Sequence, residues 1–142
     1  MRCWHQSLIS YLPRQQLLGQ WRECCCIAKN IAEKGTPNHI LVNKVVDYPI
    51  EHFISYSYFV FVEMAQRGYK CNTANFKKWL SNQSFIPTKN GYELFSEWHN
   101  NRYLIQCMFN LEEKHDCQGV TNDEWNTLLE GYKKITGKDW EK

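Results

Sequence analysis

The sequence predicts an all-α protein, a compact single domain over residues 1–142 with about three main helices plus a C-terminal helix. Three observations carry this. Leu17, Trp21, Cys24, Ala28 and Ile31 recur at spacings of four, three, four and three, which is one buried stripe of a helix. A stretch of about 18 residues after Pro49 is apolar on nearly every side and closes at Gly68, long for a strand and suited to a central helix. Thr121, with Glu124 three residues on, matches a capping box in front of a last apolar stripe.

Taken in order, the opening MRCWHQSLISYL is a scatter of apolar and polar residues, too short and too polar to cross a membrane. Pro13 sits where a first helical turn tolerates a missing amide proton, and the first helix runs from there to the breakers Gly35 and Pro37. After a loop, Pro49 opens the second helix, IEHFISYSYFVFVEMAQRG. Residues 74 to 81 predict a short basic helix, followed by a loop through Pro87 and Gly91. The third long helix is expected from about Glu93 to His115, with Phe95, Trp98, Ile105, Met108 and Leu111 facing inward. Trp125, Leu128, Leu129, Tyr132 and Ile135 share one side of the last helix, which Gly137 ends. Internal repeats, low-complexity runs and linkers are absent from the sequence.

A chain of 142 residues buries about 68 to 70% of its unfolded surface around one core. The net charge of +2 hides an asymmetry: residues 1 to 90 carry eleven basic and five acidic groups, residues 91 to 142 six and ten. A basic portion attracts a polyanion even in a nearly neutral chain; the two halves equally well complement each other within the fold. Seven cysteines, three of them adjacent at 24 to 26, with no signal peptide, argue for reduced thiols and a cytoplasmic setting. Zinc is a poor fit, because adjacent cysteines point about 100° apart on a helix and no paired CxxC units occur, so Cys3 and the 24–26 run read as core thiols. Cys26 with His5 makes no recognisable nucleophile pair. His99 and His115 read as packing or surface residues.

The helical wheel of LLGQWRECCC places Gln15, Gln16, Gly19, Gln20, Arg22, Glu23, Cys26, Lys29 and Asn30 away from the apolar stripe. Gly19 in a helix interior costs roughly 1 kcal/mol relative to alanine, a cost explained if the N-terminal segment or a ligand approaches the backbone there. An arginine and a glutamate beside such a gap suit phosphate binding and proton transfer, although adjacent helix charges are more often simply solvated. In NFKKWLSN, Lys77, Lys78 and Trp79 have the makings of a nucleic-acid grip, against an amphipathic surface helix with Trp79 buried, the preferred reading.

The run LPRQQLLGQWREC, with MR-x-WH at the start and RGY at 67 to 69, resembles the endonuclease V-type pyrimidine-dimer DNA glycosylases, in particular a branch of small relatives that begin this way. RYLIQCMFNLEEKH, residues 102 to 115, resembles the family's third helix, and EGYKKITGKDW its basic, aromatic tail. The resemblance implies three main helices with the N-terminal segment threaded between two of them. It implies cleavage of the glycosylic bond at a UV-induced dimer, then strand scission through a covalent imine, with no metal or organic cofactor. The catalytic pair becomes the Met1 amine and Glu23. Arg22 becomes the phosphate-binding neighbour, Arg2 the arginine after the nucleophile, and Lys114 a DNA contact of the third helix. Lys29 on the same polar face, and Lys133, Lys134 and Lys138 near the C-terminus, are further candidates for the DNA backbone. The implied partner is damaged double-stranded DNA, met by a monomer in the cytoplasm at nucleoid or viral DNA, with no membrane involved.

The chemistry has a basis independent of the resemblance. An α-amine ordinarily titrates near 7.7 to 8.0, so roughly a tenth is the neutral nucleophile at pH 7, far more than for a lysine. Glycosidic cleavage builds oxocarbenium-like charge that a fixed carboxylate stabilises. The sequence also departs from the family. Arg2 is too large to favour removal of Met1, one extra residue separates the arginine near the start from the glutamate, and Cys26 and Asn110 stand at basic positions. Three functions follow: a glycosylase with lyase activity, a relative that recognises damaged DNA without chemistry, and a helical protein-interaction module.

Overall fold

A computed structural model describes residues 1–141. Five α-helices follow one another: α1 (Arg14–Lys34), α2 (Ile50–Gln66), α3 (Ala74–Trp79), α4 (Asn101–Asp116) and α5 (Asn122–Thr136). Short 3₁₀ turns cover Gln6–Tyr11, Asn43–Asp47 and Gly91–Glu93, and no strand occurs among the described residues. The expected all-α architecture is therefore present, with four long helices and one short one. None of the described helices is long and apolar enough to cross a membrane.

Local chemistry sets most boundaries. Pro13 caps α1, and Gly35 closes it at φ 75°, a left-handed conformation that glycine adopts without a Cβ penalty. Thr121 accepts from the Glu124 amide while the Glu124 carboxylate accepts from the Thr121 amide, so the expected capping box opens α5. The start of α4 differs from expectation by eight residues. Phe95 and Trp98 are buried as expected, yet they anchor an irregular segment in which Phe95 has φ 51°. The helix begins only after Asn100, whose side chain accepts from the Tyr103 amide. Helical spacing of two anchors in a folded loop mimicked a helix that the cap at Asn100 excludes.

One core joins these elements. α2 runs through it, with Phe53, Ile54, Ser55, Tyr56 and Ser57 consecutively buried, and it packs against α1 and against the Gln6–Tyr11 turn. α3 lies on α1, burying Phe76 and Leu80, whereas Trp79 is only half-buried, contrary to the expectation. α5 closes over the Gln6–Tyr11 turn and against α4. Arg67, the first residue of RGY, ties the end of that turn to α2: its Nη1 donates to the Leu12 carbonyl at 2.8 Å, its Nη2 to the Ser10 carbonyl at 3.2 Å, and its Nε to Glu63 at 2.7 Å.

Candidate active site

Residues 1 to 5, which form no regular secondary structure, are held against α1 by buried polar groups on three elements. Gln20, one helical turn before Glu23, clips the segment from α1. Its Oε1 accepts from the Trp4 amide at 2.8 Å and its Nε2 donates to the Arg2 carbonyl at 2.9 Å. From α2, the Tyr56 hydroxyl lies 2.6 Å from the Trp4 carbonyl and 2.9 Å from Gln20 Oε1. From α4, the Tyr103 hydroxyl donates to the Cys3 carbonyl at 2.6 Å. Burial pushes both tyrosines above their ordinary pKa, so each hydroxyl keeps the proton it donates. The wheel placed Gln20 on the solvent side, but it is 1% exposed because the N-terminal segment covers it.

Below this clip, His5 and His99 stack with ring centres 5.2 Å apart. His5 Nδ1 accepts from the Ser7 amide, leaving Nε2 to carry the proton and donate to the His99 carbonyl at 2.9 Å. His99 Nδ1 accepts from the Gln6 amide at 3.0 Å, so its proton also sits on Nε2, where no partner meets it. Burial lowers His5 to about 4 and His99 well below its ordinary value, keeping both neutral.

This scaffold delivers the chain's first atoms to Glu23. The Met1 amine stands 3.9 Å from Glu23 Oε1, and the Arg2 amide donates to Oε2 at 3.0 Å. Both carboxylate oxygens thus face the N-terminal segment, while the side chain remains about one-third exposed. The amine and the carboxylate are within ion-pair range of each other, and both keep part of their surface open to a ligand. Arg22 is exposed beside them. A Cβ on Gly19 would meet only Arg22 Nη2, at 3.8 Å. The N-terminal segment therefore does not need that glycine, which corrects one reason offered for it and leaves open space next to Arg22.

The remaining candidates lie farther away. Lys29, about 10 Å along α1 from Arg22, is 3.9 Å from Glu33 and lies over the Trp79 ring at 5.6 Å. Lys114 is exposed in the last turn of α4, about 16 Å along the axis from Tyr103. Lys133 pairs with Asp139 at 3.4 Å and Lys134 is exposed beside it in the last turn of α5. No hydrogen bond or ion pair links Lys114, Lys133 or Lys134 to Met1 or Glu23 among the described residues. Cys26 is exposed, and Asn110 donates to the Gln106 carbonyl at 2.9 Å. All seven cysteines are free, Cys3, Cys24 and Cys107 being buried, and no group of three metal-ligating side chains gathers among the described residues.

A family model described as pyrimidine dimer DNA glycosylase matches residues 1–76, the part of the chain that holds Met1, Gln20, Glu23 and Tyr56. No curated protein and no solved structure matches the chain. The match spans more than half of the sequence, and the chain belongs to the pyrimidine dimer DNA glycosylase family.

Proposed function

We propose that the protein removes a UV-damaged pyrimidine, a cyclobutane dimer, from double-stranded DNA and then cuts the strand as an AP lyase, using the Met1 amine as nucleophile and Glu23 as its carboxylate partner. The observation that carries the proposal is the 3.9 Å approach of the Met1 amine to Glu23, with the Arg2 amide fixing the other carboxylate oxygen.

In this reading the neutral amine attacks C1′ of the damaged nucleotide, and the glycosylic bond breaks with its electron pair leaving on the base. Glu23 stabilises the positive charge that builds on the sugar. The attached amine then gives one proton to the departed base and the other to O4′ as the C1′–O4′ bond breaks and the sugar ring opens to an imine between Met1 and C1′. Glu23 accepts a proton from C2′, and the electrons that held it expel the 3′ phosphate, breaking the strand. Water hydrolyses the remaining imine and frees the amine. Arg2 and Arg22 hold phosphates at the reacting nucleotide, Lys29 extends that contact along α1, and Lys114, Lys133 and Lys134 supply outer contacts. The protein acts as a monomer on cytoplasmic DNA of nucleoid or viral origin, and no cofactor takes part.

Borohydride trapping tests this. With Met1 confirmed as the first residue by intact mass, reduction in the presence of a dimer-bearing duplex yields an adduct that maps to residue 1. Acetylation of the amine abolishes both adduct and strand cleavage. Glu23→Gln keeps the side chain's size and still binds damaged DNA, but loses two or more orders of magnitude in turnover, on the scale of about 100-fold per such group. Affinity falls as salt rises, and Arg22→Ala makes the slope shallower by about one. An adduct on an internal lysine, or cleavage by the acetylated protein, defeats the mechanism. Tight binding with no adduct on any lesion would make the chain a damage-recognising relative without chemistry.

A further inference from the structure

Between α1 and α2 the chain projects a small apolar tip. Ile40 is 86% exposed and Leu41 48%, and together with Val46 they place three of the six exposed large apolar side chains of the described residues in one short segment. The tip is braced from within. His39 donates its amide to Asn43 Oδ1 at 2.9 Å and accepts from the Leu41 amide on Nδ1 at 3.3 Å, while its carbonyl accepts from the amides of Val42 and Asn43. Asn30 of α1 donates to the Pro37 carbonyl at 2.9 Å on one side, and Val42 and Val45, essentially inaccessible, root the other side in the core. Local hydrogen bonding and two buried anchors thus hold Ile40 and Leu41 out into solvent.

The tip borders a cleft of about 520 Å³. Three cations line it: Arg2, directly after the proposed nucleophile; Lys44, on the 3₁₀ turn behind the tip; and Arg102, in the first turn of α4. Glu97 is the one carboxylate among the lining residues, and none of the three cations is ion-paired among the described residues. A rigid apolar point beside unpaired cations suits a partner that combines a polyanionic rail with flat apolar faces. Duplex DNA has both. A second copy of this chain would set like charges against each other across the same face.

We propose that Ile40 and Leu41 form a wedge that enters a base step of the duplex next to the damaged nucleotide, while Arg2, Lys44 and Arg102 hold the phosphates on either side. This rests on the reading above that duplex DNA is the substrate. The energetic logic is that unstacking a step costs free energy, which burial of the two side chains between the bases and the phosphate contacts on the bent strand offset. A wedge on a braced tip loses little conformational entropy on entry. Its position beside Arg2 would open the duplex where the Met1 amine must reach C1′.

The test uses a duplex carrying a tetrahydrofuran abasic analogue, which cannot form an imine, with 2-aminopurine as the neighbouring base. Saturating wild-type protein raises the 2-aminopurine fluorescence several-fold as the base unstacks. The doubly substituted Ile40→Ser, Leu41→Ser protein, whose changes lie on the surface and leave the thermal melt in place, loses most of that rise. It also binds about tenfold or more weakly with an unchanged salt slope, because no phosphate contact has been removed. Lys44→Ala and Arg102→Ala do the reverse: each lowers the slope by about one, and fluorescence still rises at saturation.

Full fluorescence with the double variant overturns the wedge, and so does a reduced salt slope in that variant. Sedimentation showing a wild-type dimer that the double variant dissolves would assign the tip to self-association instead. The fluorescence needs no chemistry, so the two proposals fail separately. A rise lost in the double variant, with no borohydride adduct from the wild type, keeps the wedge and removes the lyase. An adduct at Met1 with fluorescence indifferent to the tip keeps the lyase and removes the wedge.

Discussion

The amide of Gln20 decides where the first four residues lie. It has one acceptor and one donor committed to the backbone of the N-terminal segment, and it touches Tyr56 as well. Gln20→Leu leaves the buried Trp4 amide and the Arg2 carbonyl without their partners, and each such group costs about 1–3 kcal/mol. The expected outcome is a loss of about 2–4 kcal/mol in urea unfolding, together with a drop of about tenfold in adduct formation at nearly constant DNA affinity. Equal losses in binding and trapping would show that the residue matters for folding alone. Nothing in the helical wheel signalled this role, because the group that covers Gln20 comes from residues sixteen or more positions away. Gly19 is a contrasting case. Its Cβ position is open and its φ is ordinary, so Gly19→Ala stabilises α1 by about 0.5–1 kcal/mol. A thermal melt reads that gain. A simultaneous fall in turnover would show that substrate, and not the protein's own chain, uses the space.

At the scale of elements, α5 seats against the Gln6–Tyr11 turn through a glycine. A Cβ on Gly131 would lie 2.5 Å from Tyr11 Cγ, so the ring rests directly on the helix backbone. Gly131→Ala forces the turn and the helix apart at about 1–3 kcal/mol, measurable as a lower urea midpoint. Adding Tyr11→Ala makes room and recovers part of it. Because the turn continues from the segment that carries Met1, the same variant should slow adduct formation. The ends of α1 and α5 were legible in the sequence, since Pro13, Gly35, Thr121 with Glu124, and Gly137 act through chemistry local to a few residues. The start of α4 was not, because Phe95 and Trp98 keep helical spacing while serving as anchors of a loop. The approach of Met1 to Glu23 spans more than twenty residues of sequence, and it was legible through the family resemblance and not through any local pattern.

For the molecule as a whole, the pair His5 and His99 links the N-terminal segment to the loop before α4, and it sets an acid limit. His5 is held near 4 in the folded protein by burial, below its ordinary 6.5. As pH falls through 6.5 the unfolded chain takes up a proton that the folded one refuses, so stability present above 6.5 is lost toward pH 4 and levels off below it. The shift corresponds to about 3 kcal/mol for His5, and His99 adds in the same direction. Urea unfolding at pH 7, 6 and 5 should show this decline. His99→Gln, which retains an acceptor for the Gln6 amide and cannot titrate, should make it shallower. An unchanged slope would place the acid sensitivity elsewhere. The charge asymmetry between the two portions of the sequence does not map onto the cleft beside Arg2, where Arg102 from the acidic portion joins Arg2 and Lys44 from the basic one.

The proposed nucleophile is an atom that no codon specifies. Translation supplies an amine wherever a chain begins, and the Gln20 clip on the backbone of Arg2 and Trp4 holds that amine 3.9 Å from Glu23. Point mutation cannot delete it; terminal acetylation, aminopeptidase trimming or a single residue added in front of Met1 can. Control over this chemistry would therefore pass from the gene's side chains to the cell's N-terminal processing, and a protein carrying an N-terminal affinity tag would fold, bind DNA and form no adduct.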